Sequence, residues 1–122
     1  MHKILVVDDQ YGIRVLLNEV FQSAGYVVHT AENGFVGLDL FEQHKHDLVL
    51  LDMKMPGMDG LDILTKVRAT DKITPVFMMT AYGELDLVIQ ADRLGANKHF
   101  TKPFDVDELV VAVNEIFKSK FS

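Results

Sequence analysis

Cysteine is absent from the chain. That excludes a disulfide framework, a thiolate metal site and a thiol nucleophile. No apolar run approaches the roughly 20 residues that span a bilayer. The opening residues, MHKILVVDD, lack the apolar stretch of a secretory signal. A cytoplasmic protein with no membrane partner is therefore expected. Basic residues are scarce: 12 Lys and Arg stand against 18 Asp and Glu, a formal net charge of −6. Nucleic acid as a partner calls for clustered Lys and Arg, and this balance argues against it. The same balance suits a cation or a protein with a basic patch. No repeat, linker or low-complexity stretch divides the 122 residues, so a single domain over 1–122 with no separate output domain is expected.

What is present is an alternation. Five short apolar segments, Lys3–Asp8, Val27–Thr30, Asp47–Asp52, Pro75–Thr80 and Lys98–Thr101, are separated by helical patterns. The first pattern, Ile13, Leu16, Leu17, Val20, Phe21 and Ala24, has the offsets of one helix face and stops at Gly25. The second starts near Gly34 with Leu38, Leu40 and Phe41. Asp59-Gly60 opens a third, Leu85–Leu94 before Gly95 forms a fourth, and Asp105 with Glu108 has capping-box spacing for a fifth. The first, third and fourth apolar segments are continuous rather than alternating, as in parallel strands covered on both faces. Strand and helix alternating at this spacing predict right-handed crossovers. The expected fold is α/β: a doubly wound, five-stranded parallel sheet of order 2-1-3-4-5 with five flanking helices.

Open parallel sheets bind ligands beyond the carboxyl ends of their strands, where strand order reverses. For this order the reversal lies between strands one and three. Strand one ends in Asp8-Asp9 and strand three in Asp52. Three carboxylates in one crevice repel one another unless a cation sits among them. All-oxygen ligation favours a hard ion, Mg²⁺ above all. Strand four adds the Thr80 hydroxyl and the segment after strand five adds the Lys102 ammonium. Acids, hydroxyl and ammonium together suit a phosphoryl group, with a carboxylate as nucleophile. His44-Lys45-His46-Asp47 reads as a solvated turn between helix and strand, and Met78 and Met79 as core.

The motifs VVDDQ at 6–10, LLDMKMPGMDG at 50–60, MTAYGE at 79–84, GA at 95–96 and TKPF at 101–104 resemble the receiver domain of two-component response regulators. Within that family, VDDQYGIR at 7–14, TAYGELD at 80–86 and HFTKPFD at 99–105 are similar to single-domain sporulation phosphorelay regulators. The resemblance implies Asp52 as phosphoacceptor and Thr80 and Lys102 as holders of phosphoryl oxygens. It implies Mg²⁺, with Mn²⁺ or Ca²⁺ as substitutes. Asp9, Asp52 and the Lys54 backbone carbonyl would bind the ion directly and Asp8 chiefly through water. The Met53 amide is also expected in the site. A sensor histidine kinase would supply the phosphoryl group, a histidine phosphotransferase would accept it, and a phosphatase would drain it.

Candidate partner contacts ring the crevice: Gln10, Tyr11, Ile13 and Arg14 on the first helix, Tyr82 and Leu85 after strand four, His99, and Pro103 with Phe104 after strand five. Receivers often carry Tyr or Phe where His99 stands. Lys54 stands two residues after the acceptor, where other receivers place a side chain that positions hydrolytic water. A lysine accepts no hydrogen bond, so slow self-hydrolysis is expected. The alternative within the family is a chemotaxis-type regulator that signals by binding a partner. A flavodoxin-like electron carrier needs a Ser/Thr/Gly-rich phosphate loop where this chain has Asp8-Asp9-Gln10. Phosphatases with an aspartyl-phosphate intermediate use a D-x-D pair, and the acids here are adjacent. A pseudo-receiver would lack part of the acid, Thr80 and Lys102 set.

Overall fold

A computed structural model describes residues 1–81 and 83–121, with side chains through 118. Its elements are β1 Lys3–Val7, α1 Tyr11–Ser23, β2 Val27–Ala31, α2 Gly34–His44, β3 Leu48–Asp52, α3 Gly60–Thr70, β4 Val76–Ala81, α4 Leu85–Arg93, β5 Lys98–Lys102 and α5 Val106–Phe121. The five strands form one parallel sheet of order β2-β1-β3-β4-β5, the order the sequence predicts. Strand ends differ from the expected ones by a residue.

The continuous apolar strands are buried on both faces. All five residues of β3 are buried. Successive side chains alternate between two cores. Leu5, Val7, Val49, Leu51 and Met78 pack with Ile63, Leu64, Val67 and Ala91 under α2, α3 and α4. Ile4, Val6, Leu48, Leu50, Phe77 and Met79 pack with Leu17, Phe21, Leu109, Val113 and Phe117 under α1 and α5. Met78 and Met79 are thus core, on opposite faces. Each fully buried Leu, Val or Phe contributes about 2 kcal/mol of transfer free energy.

The α1 stripe is only partly interior. Leu17 and Phe21 are fully buried, whereas Leu16 is 39% exposed and Ala24 is exposed. The helix rests on its neighbours through the narrower set spaced by four. Asp105 caps α5 as expected: its Oδ1 accepts the N–H of Asp107 at 2.9 Å and of Glu108 at 3.4 Å. The reciprocal capping box lies at α3, where Asp59 accepts from the Asp62 N–H at 2.9 Å and Asp62 from the Asp59 N–H at 3.3 Å. Gly25 and Gly95 take φ of +95° and +100° just past α1 and α4, where a side chain would be strained.

The expected solvated turn at His44–Asp47 is solvated only in part: Lys45 is exposed and His44 and Asp47 are half-buried, but His46 is interior. His46 is 3% exposed, and its Nε2 lies 2.8 Å from Nδ1 of His29 on β2. The reason is tertiary: the partner imidazole comes from a strand 17 residues earlier, which no local pattern signals.

Candidate functional site

The carboxyl ends of β1, β3, β4 and β5 meet at one edge of the sheet. β3 is central between β1 and β4, so Asp52 stands at the floor of the crevice. Its backbone is fixed from both sides: the Met53 N–H donates to Met79 O at 2.8 Å, and the Gly60 N–H donates to Met53 O at 3.0 Å. The Met53 amide is therefore spent on the sheet rather than turned into the site. Met53 and Met55 anchor the following loop in the core, at 1% and 8% exposed. A Cβ at Gly60 would lie 2.4 Å from the Asp52 carbonyl oxygen, so only glycine lets α3 start this close to the acid.

Asp8 is fully buried, Asp52 is 8% exposed and Thr80 2% exposed, while Asp9 is exposed. One carboxylate oxygen from each of Asp8, Asp9 and Asp52 lies within 4.8 Å of the others. Both Asp8 oxygens are already engaged. Oδ1 accepts the Gln10 N–H at 2.8 Å and Oδ2 the Lys102 ammonium at 2.7 Å. Lys102 Nζ also reaches Asp52 Oδ1 at 3.5 Å and donates to Gln10 Oε1 at 3.0 Å. Arg14 donates to the Asp8 carbonyl at 2.8 Å. The Lys102–Pro103 peptide is cis.

Burial, and then the Asp8 charge, push the Asp52 carboxyl up to about 7; Lys102 opposes this and Asp9 adds to it. One ammonium among three carboxylates does not balance them. A hard divalent cation would, and the oxygen donor set fits it.

Sequence reasoning missed Glu84. Its Oε1 accepts the Ala81 N–H, next to Thr80, at 2.6 Å, and its Oε2 pairs with Lys54 Nζ at 3.1 Å. This ion pair links the loop after β3 to the loop after β4. Burial works against the Glu84 charge, but the Ala81 N–H and Lys54 hold its carboxyl below the usual range. Nothing in the sequence pairs residue 54 with residue 84.

Of the predicted partner contacts, Gln10, Tyr11, Leu85, His99 and Pro103 are exposed. Ile13 and Phe104 are half-buried against the α1–α5 core, and Arg14 is half-buried. Tyr82 lies outside the described residues. His99 sits on the edge strand β5, paired with Met78. Val15 and Leu16, which the sequence does not single out as contacts, are 44% and 39% exposed beside Tyr11 at 73%. No described helix is long and apolar enough to cross a membrane.

A family model described as the response regulator receiver domain matches residues 4–114. The chain is 53% identical over 118 residues to sporulation initiation phosphotransferase F of Bacillus subtilis, covering 97% of this chain and 95% of that protein. It is 35% identical over 115 residues to chemotaxis protein CheY of the same organism, covering 93% and 96%. Among solved structures, a response regulator receiver domain protein from Clostridium thermocellum superposes with a TM-score of 0.92 at 33% identity, covering 98% of this chain and 97% of that one.

Proposed function

This chain belongs to the response regulator receiver domain family, and from that premise we propose that Asp52 carries a phosphoryl group between two histidines. A sensor histidine kinase supplies it and a histidine phosphotransferase accepts it, as in a sporulation phosphorelay. In this reading the single unit over 1–122 is itself the carrier, and a phosphatase can drain it. The observation that carries the proposal is the convergence of Asp8, Asp9 and Asp52 within 4.8 Å at strand ends, with Lys102 Nζ 3.5 Å from Asp52.

Receiver domains use Mg²⁺ for phosphorylation, and the acid cluster is suited to it. Asp9, Asp52 and the Lys54 carbonyl would hold the ion, with Asp8 acting through water because both its oxygens are engaged. Mn²⁺ or Ca²⁺, also oxygen-seeking, would substitute. The ion supplies charge neutralisation at the acceptor and the phosphoryl oxygens.

An ionised Asp52 oxygen attacks phosphorus in line, the P–N bond to the donor imidazole breaks, and that imidazole leaves and takes up a proton. Lys102 swings from Asp8 toward the incoming oxygens, and the Thr80 hydroxyl donates to another. The resulting acyl phosphate is a mixed anhydride, so onward attack by a second imidazole restores the carboxylate. Exposed Tyr11, Val15 and Leu16 on α1, together with Leu85 and Pro103, offer the apolar rim on which a partner helix can dock. Gln10, Arg14, Tyr82, His99 and Phe104 complete the proposed contact set.

The test is label transfer. Incubation with a phosphohistidine kinase and Mg²⁺ should label the protein, and adding a phosphotransferase should remove the label. Asp52→Asn should abolish labelling. Persistent labelling of that variant would overturn the assignment. Label that stays on the protein in the presence of every candidate phosphotransferase would favour a chemotaxis-type binder, the reading that the CheY likeness supports.

A further inference from the structure

Glu84 is the N-cap residue of α4, yet its side chain caps no amide of that helix. Its Oε1 accepts the Ala81 N–H at 2.6 Å, and its Oε2 pairs with Lys54 Nζ at 3.1 Å. The side chain is 10% exposed. The backbone shows where the Ala81 N–H points. Met79 is paired in register with Asp52, and its carbonyl accepts the Met53 N–H at 2.8 Å, so Met79 faces β3. Alternate residues of a strand direct their backbone groups to the same neighbour. Ala81, two residues on, therefore turns its N–H toward β3 as well, past the point where that strand ends at Asp52. In a longer ladder the next acceptor would be Met53 O, but that atom takes the Gly60 N–H at 3.0 Å. The Glu84 carboxylate fills the missing rung.

An amide directed past the end of β3, one residue after Thr80, is a donor for an anion held on Asp52. The Met53 amide cannot serve, being bonded to Met79 O. A phosphoryl group on Asp52 brings terminal oxygens, and the Ala81 N–H can donate to one of them beside the Thr80 hydroxyl. In the resting chain a carboxylate already takes that donor. The Glu84 carboxyl is held below the usual range, so it is charged at neutral pH. Glu84 is thus an internal anion at a place suited to an external one. The two compete for the same N–H, and their like charges oppose joint occupancy.

Resting on the reading of Asp52 as phosphoacceptor, we propose that Glu84 is a positioning residue for phosphoryl transfer: its carboxylate holds the Ala81 amide in reserve until a phosphoryl oxygen displaces it. The displaced oxygen has a second place to go. Glu84 stands at the start of α4 without capping it, and a carboxylate there is favoured by the first amides and the helix dipole. Lys54, 72% exposed, can follow and keep its pair with Oε2. Loading of Asp52 is thereby registered at the first turn of α4, where exposed Leu85 belongs to the proposed docking rim. A single side chain links the acceptor to the contact surface. The exchange also weakens phosphoryl binding, in proportion to the fraction of molecules in which Glu84 holds the amide.

The test is titration of the full chain with beryllofluoride, a phosphoryl mimic, at saturating Mg²⁺, with the Ala81 amide followed by NMR. Glu84→Ala frees that amide and should bind the mimic about tenfold tighter than wild type, the ratio expected if Glu84 holds the amide in about nine-tenths of resting molecules. Glu84→Gln, which keeps an acceptor oxygen but no charge, should fall between them. The Ala81 signals of wild type and Glu84→Ala should differ in the resting proteins and come together once the mimic is bound. Binding by both variants no tighter than wild type would overturn the proposal. So would Ala81 signals that stay as far apart with the mimic as without it. Failure of the mimic to bind any of the three proteins would overturn the reading of Asp52 itself, and with it this role for Glu84.

Discussion

Asp52 is raised toward neutrality by its surroundings, and this gives a pH signature. Its folded carboxyl sits at about 7 against an ordinary 3.8, through burial and then Asp8. A raised folded value means that the associated stability is complete below 3.8 and is lost as pH rises through 7. Without divalent cations, wild type should therefore gain about 1 kcal/mol over Asp52→Asn between pH 8 and pH 6, read from urea melts. Saturating Mg²⁺, which favours the ionised form, should remove that difference. His46 runs the other way: its lowered value costs stability as pH falls from 6.5 toward 4, so the comparison belongs above pH 6. Lys54→Asn, which puts an amide able to orient water at the mouth, should shorten the lifetime of the phosphorylated protein severalfold, followed by loss of label; an unchanged lifetime would remove Lys54 from that role. The three acids, Thr80 and Lys102 were legible because strand ends in a parallel sheet converge. Glu84 and His46 were not, because their partners Lys54 and His29 are distant in sequence and only the fold brings them together.

Between β3 and α3 the chain runs as a loop pinned at both ends, and its closing residue has no room for a side chain. Gly60→Ala would drive a Cβ to 2.4 Å from the Asp52 carbonyl. A cost of about 2–3 kcal/mol is expected from overpacking against backbone, together with a slower phosphorylation rate because the acceptor is displaced. Gly12→Ala, where nothing lies within 4 Å, should leave both unchanged and serves as the control. Asp59→Ala should cost about 1 kcal/mol through loss of the α3 capping box. Element order and type were readable throughout, since apolar runs and helical stripes are local signals. The capping box at Asp59 escaped because its second member is an aspartate rather than the usual Glu or Gln. The α1 stripe misled for a different reason. Periodicity marks an apolar face, but how much of that face is covered depends on α5 and the sheet, and Leu16 is left on the rim.

Across the whole molecule the sheet separates two cores that share strands but not side chains. Phe21 lies in one and Leu64 in the other, both fully buried. Truncation of either to alanine should cost about 3–5 kcal/mol, and the double variant should show the sum within about 0.5 kcal/mol, because no neighbour is common to both. A large departure from additivity would mean that the sheet transmits strain between its faces. The Lys54–Glu84 pair has a consequence at this scale as well. Lys54 is 72% exposed, so the pair contributes little to stability, and mobile ions weaken it. What it is expected to restrain is the movement of the two loops flanking Asp52, which it ties together. The phosphorylated state therefore behaves as a timer whose period is set by the medium: raising ionic strength should quicken its decay in wild type and leave a Glu84→Gln variant nearly unaffected.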